Sequence, residues 1–126
     1  MAEGLQKRLQ NEVEKYQSVQ KDIQKYIMGK QKLDAQLNEN TLVKEELDIL
    51  EKESCVYKLI GPVLVKQDLE EAKQNVQKRI DYISSELKRH ENTIKDLEKK
   101  QETHRENLGK LQHQFQQAQV KAAVRA

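Results

Sequence analysis

Cys55-Val-Tyr-Lys-Leu-Ile-Gly-Pro-Val-Leu-Val-Lys66 is the stretch that decides this fold. β-Branched and aromatic residues crowd into it, and Pro62 is the only proline of the chain. Gly61-Pro62, flanked on both sides by apolar runs, predicts a tight two-residue turn. Glycine at the first central position suits a type II′ turn, and the fixed φ of proline suits the second. The stretch therefore reads as one β-hairpin over about 55–66.

On either side the hydrophobic period changes. From Lys73, alternating steps of three and four meet Val76, Ile80, Ile83, Leu87, His90, Ile94, Leu97, Gln101, His104, Leu108, Leu111, Phe115, Ala118 and Ala122. Nearly everything between them is charged or carries an amide. Heptads held in one frame over this distance define a coiled-coil seam rather than a broad core-facing stripe. Leu69 is the entry residue. Asp68 and Glu71 have the spacing of a capping box, with Asp in the Ser/Thr place. A helix is predicted over about 68–120.

The segment before the hairpin has the same period. Ala2, Leu9, Tyr16, Ile23, Lys30, Leu37 and Lys44 form one row, and Leu5, Glu12, Val19, Tyr26, Leu33, Asn40 and Leu47 form the other. Gly29 costs about 1 kcal/mol against alanine inside a helix, but the frame runs through it unbroken. A helix is predicted over about 4–51.

Composition agrees with this reading. Charged residues make up 35% of the chain and aromatics 4%, too lean in apolar bulk for a compact globule of this length. The net charge of +2 is mixed along the chain, and no basic block continues the seam, so DNA or RNA binding is not expected. The first ten residues hold no apolar stretch of secretory type, and no apolar run is long enough for a membrane span. The single cysteine, Cys55, forms no internal disulfide and fits a reducing compartment. A cytoplasmic protein is expected.

Two helices joined by a tight hairpin must fold back antiparallel. Positions equidistant from Gly61-Pro62 then face one another, which puts Leu47 near Val76, Leu9 near Leu111 and Phe115, and Lys30 near His90. The hairpin is apolar almost continuously, at Val56, Tyr57, Leu59, Ile60, Val63, Leu64 and Val65. Two strands alone are marginal in water, and both edges are open. Chains that pool such hairpins into a shared sheet or barrel would cover both faces. The expected fold class is mainly α: a long antiparallel two-helix coiled coil joined by one β-hairpin that assembles with other subunits into a β-barrel platform. The whole chain, 1–126, reads as a single domain.

Residues with chemical potential have plain roles in this frame. Cys55 is expected to pack as a small apolar residue at a strand start, with no sequence neighbour that marks a reactive thiol. His90 and His104 fall on seam positions, fourteen residues apart, too far for ligands on adjacent turns, and tune register; Lys30 and Asn40 either set register with them or, for Lys30, snorkel outward. His113 lies off the seam. Gly4, Gly29, Gly61 and Gly109 form no phosphate-binding loop. No catalytic residue, cofactor or metal is expected, and two narrow helices are expected to leave no pocket of catalytic size.

Val56-Tyr-Lys-Leu-Ile-Gly-Pro-Val-Leu-Val-Lys-Gln67, set between two heptad arrays, resembles the β-class prefoldin subunits. The likeness includes Val43-Lys-Glu-Glu-Leu47 and Lys78-Arg-Ile-Asp-Tyr-Ile83, and runs from about Leu5 to Phe115. It implies a cytosolic heterohexamer of α- and β-class subunits whose hairpins build a β-barrel base. It also implies coiled-coil tips that hold non-native chains, notably actin and tubulin, and deliver them to the group II chaperonin. Carried onto this chain, the assembly surface falls on Val56, Tyr57, Leu59, Ile60, Val63, Leu64 and Val65. The client surface falls on Leu5, Leu9, Val13, Leu108, Leu111 and Phe115, of which Val13 alone lies off the seam. No ATP hydrolysed by this chain is implied; weak contacts multiplied over several arms supply the affinity. The competing reading is a scaffold or tether whose ends dock one folded partner. Client breadth separates the two, because a tether ignores unrelated unfolded proteins.

Overall fold

The computed structural model describes residues 2–125. Four elements follow one another: α1 (Ala2–Asp48), β1 (Val56–Ile60), β2 (Val63–Gln67) and α2 (Leu69–Arg125). Contacts divide the chain into two compact units. One holds residues 29–90, including the hairpin; the other joins residues 1–28 with 91–126.

In the hairpin unit, β1 and β2 pair antiparallel, with Val56 opposite Gln67 and Ile60 opposite Val63. Gly61 has φ of +57°, and no residue of another type has positive φ among those described. A type I′ turn needs positive φ at both central positions, which Pro62 cannot adopt, so the turn is of the II′ kind. Leu47 of α1 packs with Leu69, Ala72 and Val76 of α2, and Val56 and Ile80 lean on this cluster. Asp68 caps α2: its Oδ2 accepts a hydrogen bond from the Glu71 backbone N–H at 3.3 Å. That bond satisfies one of the N–H groups left open at a helix start.

The helix ends depart from the heptad reading for electrostatic and propensity reasons. α1 stops at Asp48, short of the expected 51. Its last turn holds Glu45, Glu46 and Asp48 with no basic residue, and Glu51 follows. Negative charge at a helix C-terminus opposes the macrodipole. α2 continues past the expected 120 to Arg125. Ala118, Ala122 and Ala123 favour helix there, and Arg125 complements the dipole.

Burial follows the seam closely. Val19, Ile23, Leu47, Leu69, Val76, Ile83 and Leu87 are buried at no more than 9% exposure, but no described side chain is fully enclosed. Two helices produce a line of contact, not a core with depth. Of the expected seam positions that are described, Ala122 is the one that is exposed.

Helix register differs from the simple fold-back. A Cβ at Gly29 would lie 3.1 Å from Nε2 of His90, so His90 faces Gly29. The fold-back places Lys30 beside His90, so the facing residue here is shifted by one position. In the other unit Glu12 meets His104 and Asn107 rather than residue 111. Unequal connections cause the offset. Residues 49–55 separate α1 from β1, whereas Asp68 alone separates β2 from α2. Part of the longer connection continues the helical path, since the Ile49 N–H still donates to the Glu45 carbonyl.

Candidate functional site

Two sets of residues were expected to carry function, and each lies within one unit. Along the hairpin, Tyr57, Leu59, Ile60, Val63, Leu64 and Val65 are all exposed, from 45% at Val65 to 68% at Leu59. Val56 differs. It is half-buried and packs on the Leu47–Val76 cluster, so the chain's own helices cover the base of the hairpin. The remaining strand residues present apolar groups on both faces, with unpaired outer edges on a two-stranded sheet. Such a surface is a template for strand pairing and apolar burial by another chain.

In the other unit, Leu5, Leu9, Val13, Leu108, Leu111 and Phe115 are half-buried. Each offers part of its side chain to solvent. Val13 is half-buried like the other five, although it sits beside the seam frame. Val120 and Val124, at 62% and 81% exposure, are far more open. Heptad reading passed over Val120 because it lies between seam positions and Val124 because it lies past the seam and the predicted helix end at about 120. An apolar residue at such a position, in a chain where those positions are almost all polar, is the signal that marks them.

The same signal marks residues near the hairpin. Leu42, Val43, Ile49 and Leu50 are large, apolar and exposed, and so is Tyr82. None of these falls on the seam rows.

Polar groups inside the seam are partnered. Glu12 is buried, and its Oε1 accepts hydrogen bonds from Nδ1 of His104 at 2.5 Å and from Nδ2 of Asn107 at 3.4 Å. The hydrogen bond from His104 holds the Glu12 carboxyl below its ordinary value of 4.5. Burial works against that shift, while Asn107 and the charges of His104 and Lys15 assist it. Nδ1–H of His90 donates to the Glu86 carbonyl at 2.9 Å.

An open groove of about 980 Å³ lies beside α1. Its lining is Gln17, Gln20, Gln24, Lys21, Lys25, Ile23, Met28 and Gln101. Gaps between ridges of long side chains create the space, which is a solvent-facing trough rather than an enclosed cavity. Among the described residues no group of three or more His, Cys, Asp or Glu could hold a metal ion. Among them, too, no helix is long and apolar enough to cross a membrane.

A two-helix hairpin with an apolar β-turn-β at its bend defines a class of assembly subunit, and the comparisons place the chain within it. Residues 10–115 match the prefoldin subunit family, and the chain belongs to that family. It is 56% identical over 123 residues to mouse prefoldin subunit 6, covering 98% of this chain and 97% of the mouse protein. The human prefoldin subunit 6 is also 56% identical, with 95% of its length covered. The Arabidopsis thaliana subunit 6 is 52% identical over 116 residues, covering 92% of this chain and 90% of the plant protein. Among solved structures, the prefoldin beta subunit from Thermococcus strain KS-1 superimposes with a TM-score of 0.60 at 25% identity. That match covers 88% of this chain and 91% of the archaeal one.

Proposed function

We propose that this chain is one subunit of a cytoplasmic, ATP-independent prefoldin chaperone that holds unfolded proteins and passes them to the group II chaperonin. The whole chain, 1–126, acts as one prefoldin-like domain. Tyr57, Leu59, Ile60, Val63, Leu64 and Val65, with Val56 anchoring the base, pair with the hairpins of α- and β-class subunits in a heterohexamer. Leu5, Leu9, Val13, Leu108, Leu111 and Phe115 contact the client, with actin and tubulin as the expected clients. No catalytic group or cofactor takes part.

One observation carries this reading: a family member exposes six large apolar residues on a sheet of only two strands. Water is a poor environment for that hairpin alone, and several hairpins together remove the exposed surface. Clients are held by the half-buried residues once the helix pair loosens enough to offer them. Each contact is weak, and several subunits acting on one client raise the effective affinity.

Native mass spectrometry of the tagged chain purified from its own cytosol tests the reading. A six-chain assembly with one tagged copy and five different prefoldin relatives is the expected result. A homodimer, or a complex with a single folded partner, would replace the chaperone with a tether. The triple variant Leu59→Asp, Val63→Asp, Val65→Asp is expected to lose assembly while keeping its helices; an unchanged native mass would sink the platform.

A further inference from the structure

We infer that the assembly surface extends beyond the hairpin onto the end of α1, where Leu42, Val43, Ile49 and Leu50 form a stripe that receives the hairpin of a neighbouring prefoldin subunit. The inference rests on the proposed assembly through hairpins and adds a second element to it.

Leu42 and Ile49 are seven residues apart, two helical turns, so they stack on one line. Val43 and Leu50 stack on the adjacent line. Ile49 and Leu50 lie just past the last residue of α1; the Ile49 N–H still donates to the Glu45 carbonyl as in the helix, and the Leu50 N–H donates to the Leu47 carbonyl in a tighter closing turn. The four side chains therefore share one face of about two turns. Leu42 is 59% exposed and Ile49 82%, and Val43 and Leu50 are exposed as well. Single exposed aliphatics are ordinary, but four on one face mark an interaction surface.

Position within the unit identifies the occupant. Val43 and Leu50 flank Leu47, which packs in the cluster that also supports Val56, the first residue of β1. The stripe thus ends on the helical turn that carries Leu47, beside the connection 49–55 that leads into β1. A chain that pairs with this hairpin brings its own apolar strands alongside the end of α1. No seam residue is available to cover the stripe from within the unit, because the seam faces α2.

The test uses the purified complex. Leu42→Ser with Ile49→Ser leaves the seam and the hairpin untouched, and both sites are exposed, so folding of the chain is retained. The expected result is a subunit concentration for half-assembly raised at least about ten-fold, as loss of an apolar contact at an interface produces. A photo-cross-linker at Leu42 is expected to label a hairpin peptide of another prefoldin subunit. Assembly like the unmodified chain, together with loss of assembly in the hairpin triple variant, would overturn the stripe and leave the hairpin reading intact. Unchanged assembly in both variants would overturn the hairpin reading and this inference with it. A cross-link to non-prefoldin protein alone would also overturn it.

Discussion

Glu12 and His104, ninety-two residues apart in sequence, meet inside the seam with Nδ1 of the imidazole 2.5 Å from the carboxylate Oε1. Exposure of the two side chains is 12% and 20%, so solvent screens the pair only partly. Removing one partner leaves the other poorly solvated, at a cost of roughly 1–3 kcal/mol. Glu12→Leu or His104→Leu alone is expected to destabilise the helix pair by an amount in that range. Changing both to leucine is expected to restore stability or exceed the original, because an apolar layer fits the seam better than a buried polar pair. A double-mutant cycle by urea unfolding checks this; additive losses would remove the pair as an energetic unit.

Acid sensitivity follows from the same carboxyl. Its pKa in the folded chain lies below 4.5, chiefly because His104 donates to the ionised form. A group depressed on folding contributes stability that is fully present above its unfolded value and is lost as pH falls through its folded value. The unmodified chain is therefore expected to lose stability below about pH 4.5, and Glu12→Gln to lose less over the same interval. Urea midpoints measured at a series of pH values decide it. Parallel curves for the two proteins would show that Glu12 contributes nothing to acid unfolding.

Gly29 illustrates a conflict between helix propensity and close packing. Alanine in its place would gain about 1 kcal/mol of propensity. The added Cβ, however, would approach His90 Nε2 at 3.1 Å and Cδ2 at 3.3 Å, and the ring is tied to Glu86 through Nδ1. Gly29→Ala alone is expected to gain clearly less than 1 kcal/mol. In a His90→Ala background the same step is expected to yield the full gain. Equal effects in both backgrounds, by thermal or urea unfolding, would show that the imidazole moves aside freely.

Much of this fold was legible in the sequence because coiled coils write their contacts in a period. The heptad frame located the half-buried residues along both helices, and Gly61-Pro62 located the turn. Register was less legible. Equidistance assumed equal connections, and nothing in the seam reports that residues 49–55 form a longer link than Asp68. Pairing of Glu12 with His104 was hidden for that reason: each was visible as a polar seam residue, and the offset decides which ones meet. Surface function was hidden in a different way. A heptad reading sorts residues into seam and solvent, so Leu42, Ile49, Val120 and Val124 were passed over as solvent positions even though they are apolar.

Gly61 is where backbone conformation limits the hairpin. At φ of +57° an L side chain meets its own carbonyl, at about 1–2 kcal/mol. Gly61→Val is expected to weaken the turn and with it the assembly, while Gly61→Asn, a residue that tolerates this region, costs less. No atom lies within 4 Å of a Cβ built at Gly61, so backbone strain rather than crowding is the cause. Helix content by circular dichroism should stay unchanged in both variants. Indistinguishable assembly by valine and asparagine would show that the turn adopts another conformation in the complex.

Client holding is the remaining property to locate. Removing residues 1–9 and 115–126 deletes Leu5, Leu9 and Phe115 together with the exposed Val120 and Val124. Unit 29–90 keeps its hairpin, the cluster around Leu47 and the stripe on α1. The trimmed subunit is therefore expected to enter the complex normally but to suppress aggregation of unfolded actin less well. The full-length chain carrying Val120→Ser and Val124→Ser separates the two candidate surfaces. If the serine variants hold clients fully, the half-buried residues Leu5, Leu9 and Phe115 supply the contact and the helix pair must loosen to offer them. If the serine variants are as weak as the trimmed protein, the open valines of α2 do the holding with the seam closed. Aggregation suppression undiminished by trimming would move the client surface away from this end of the chain altogether.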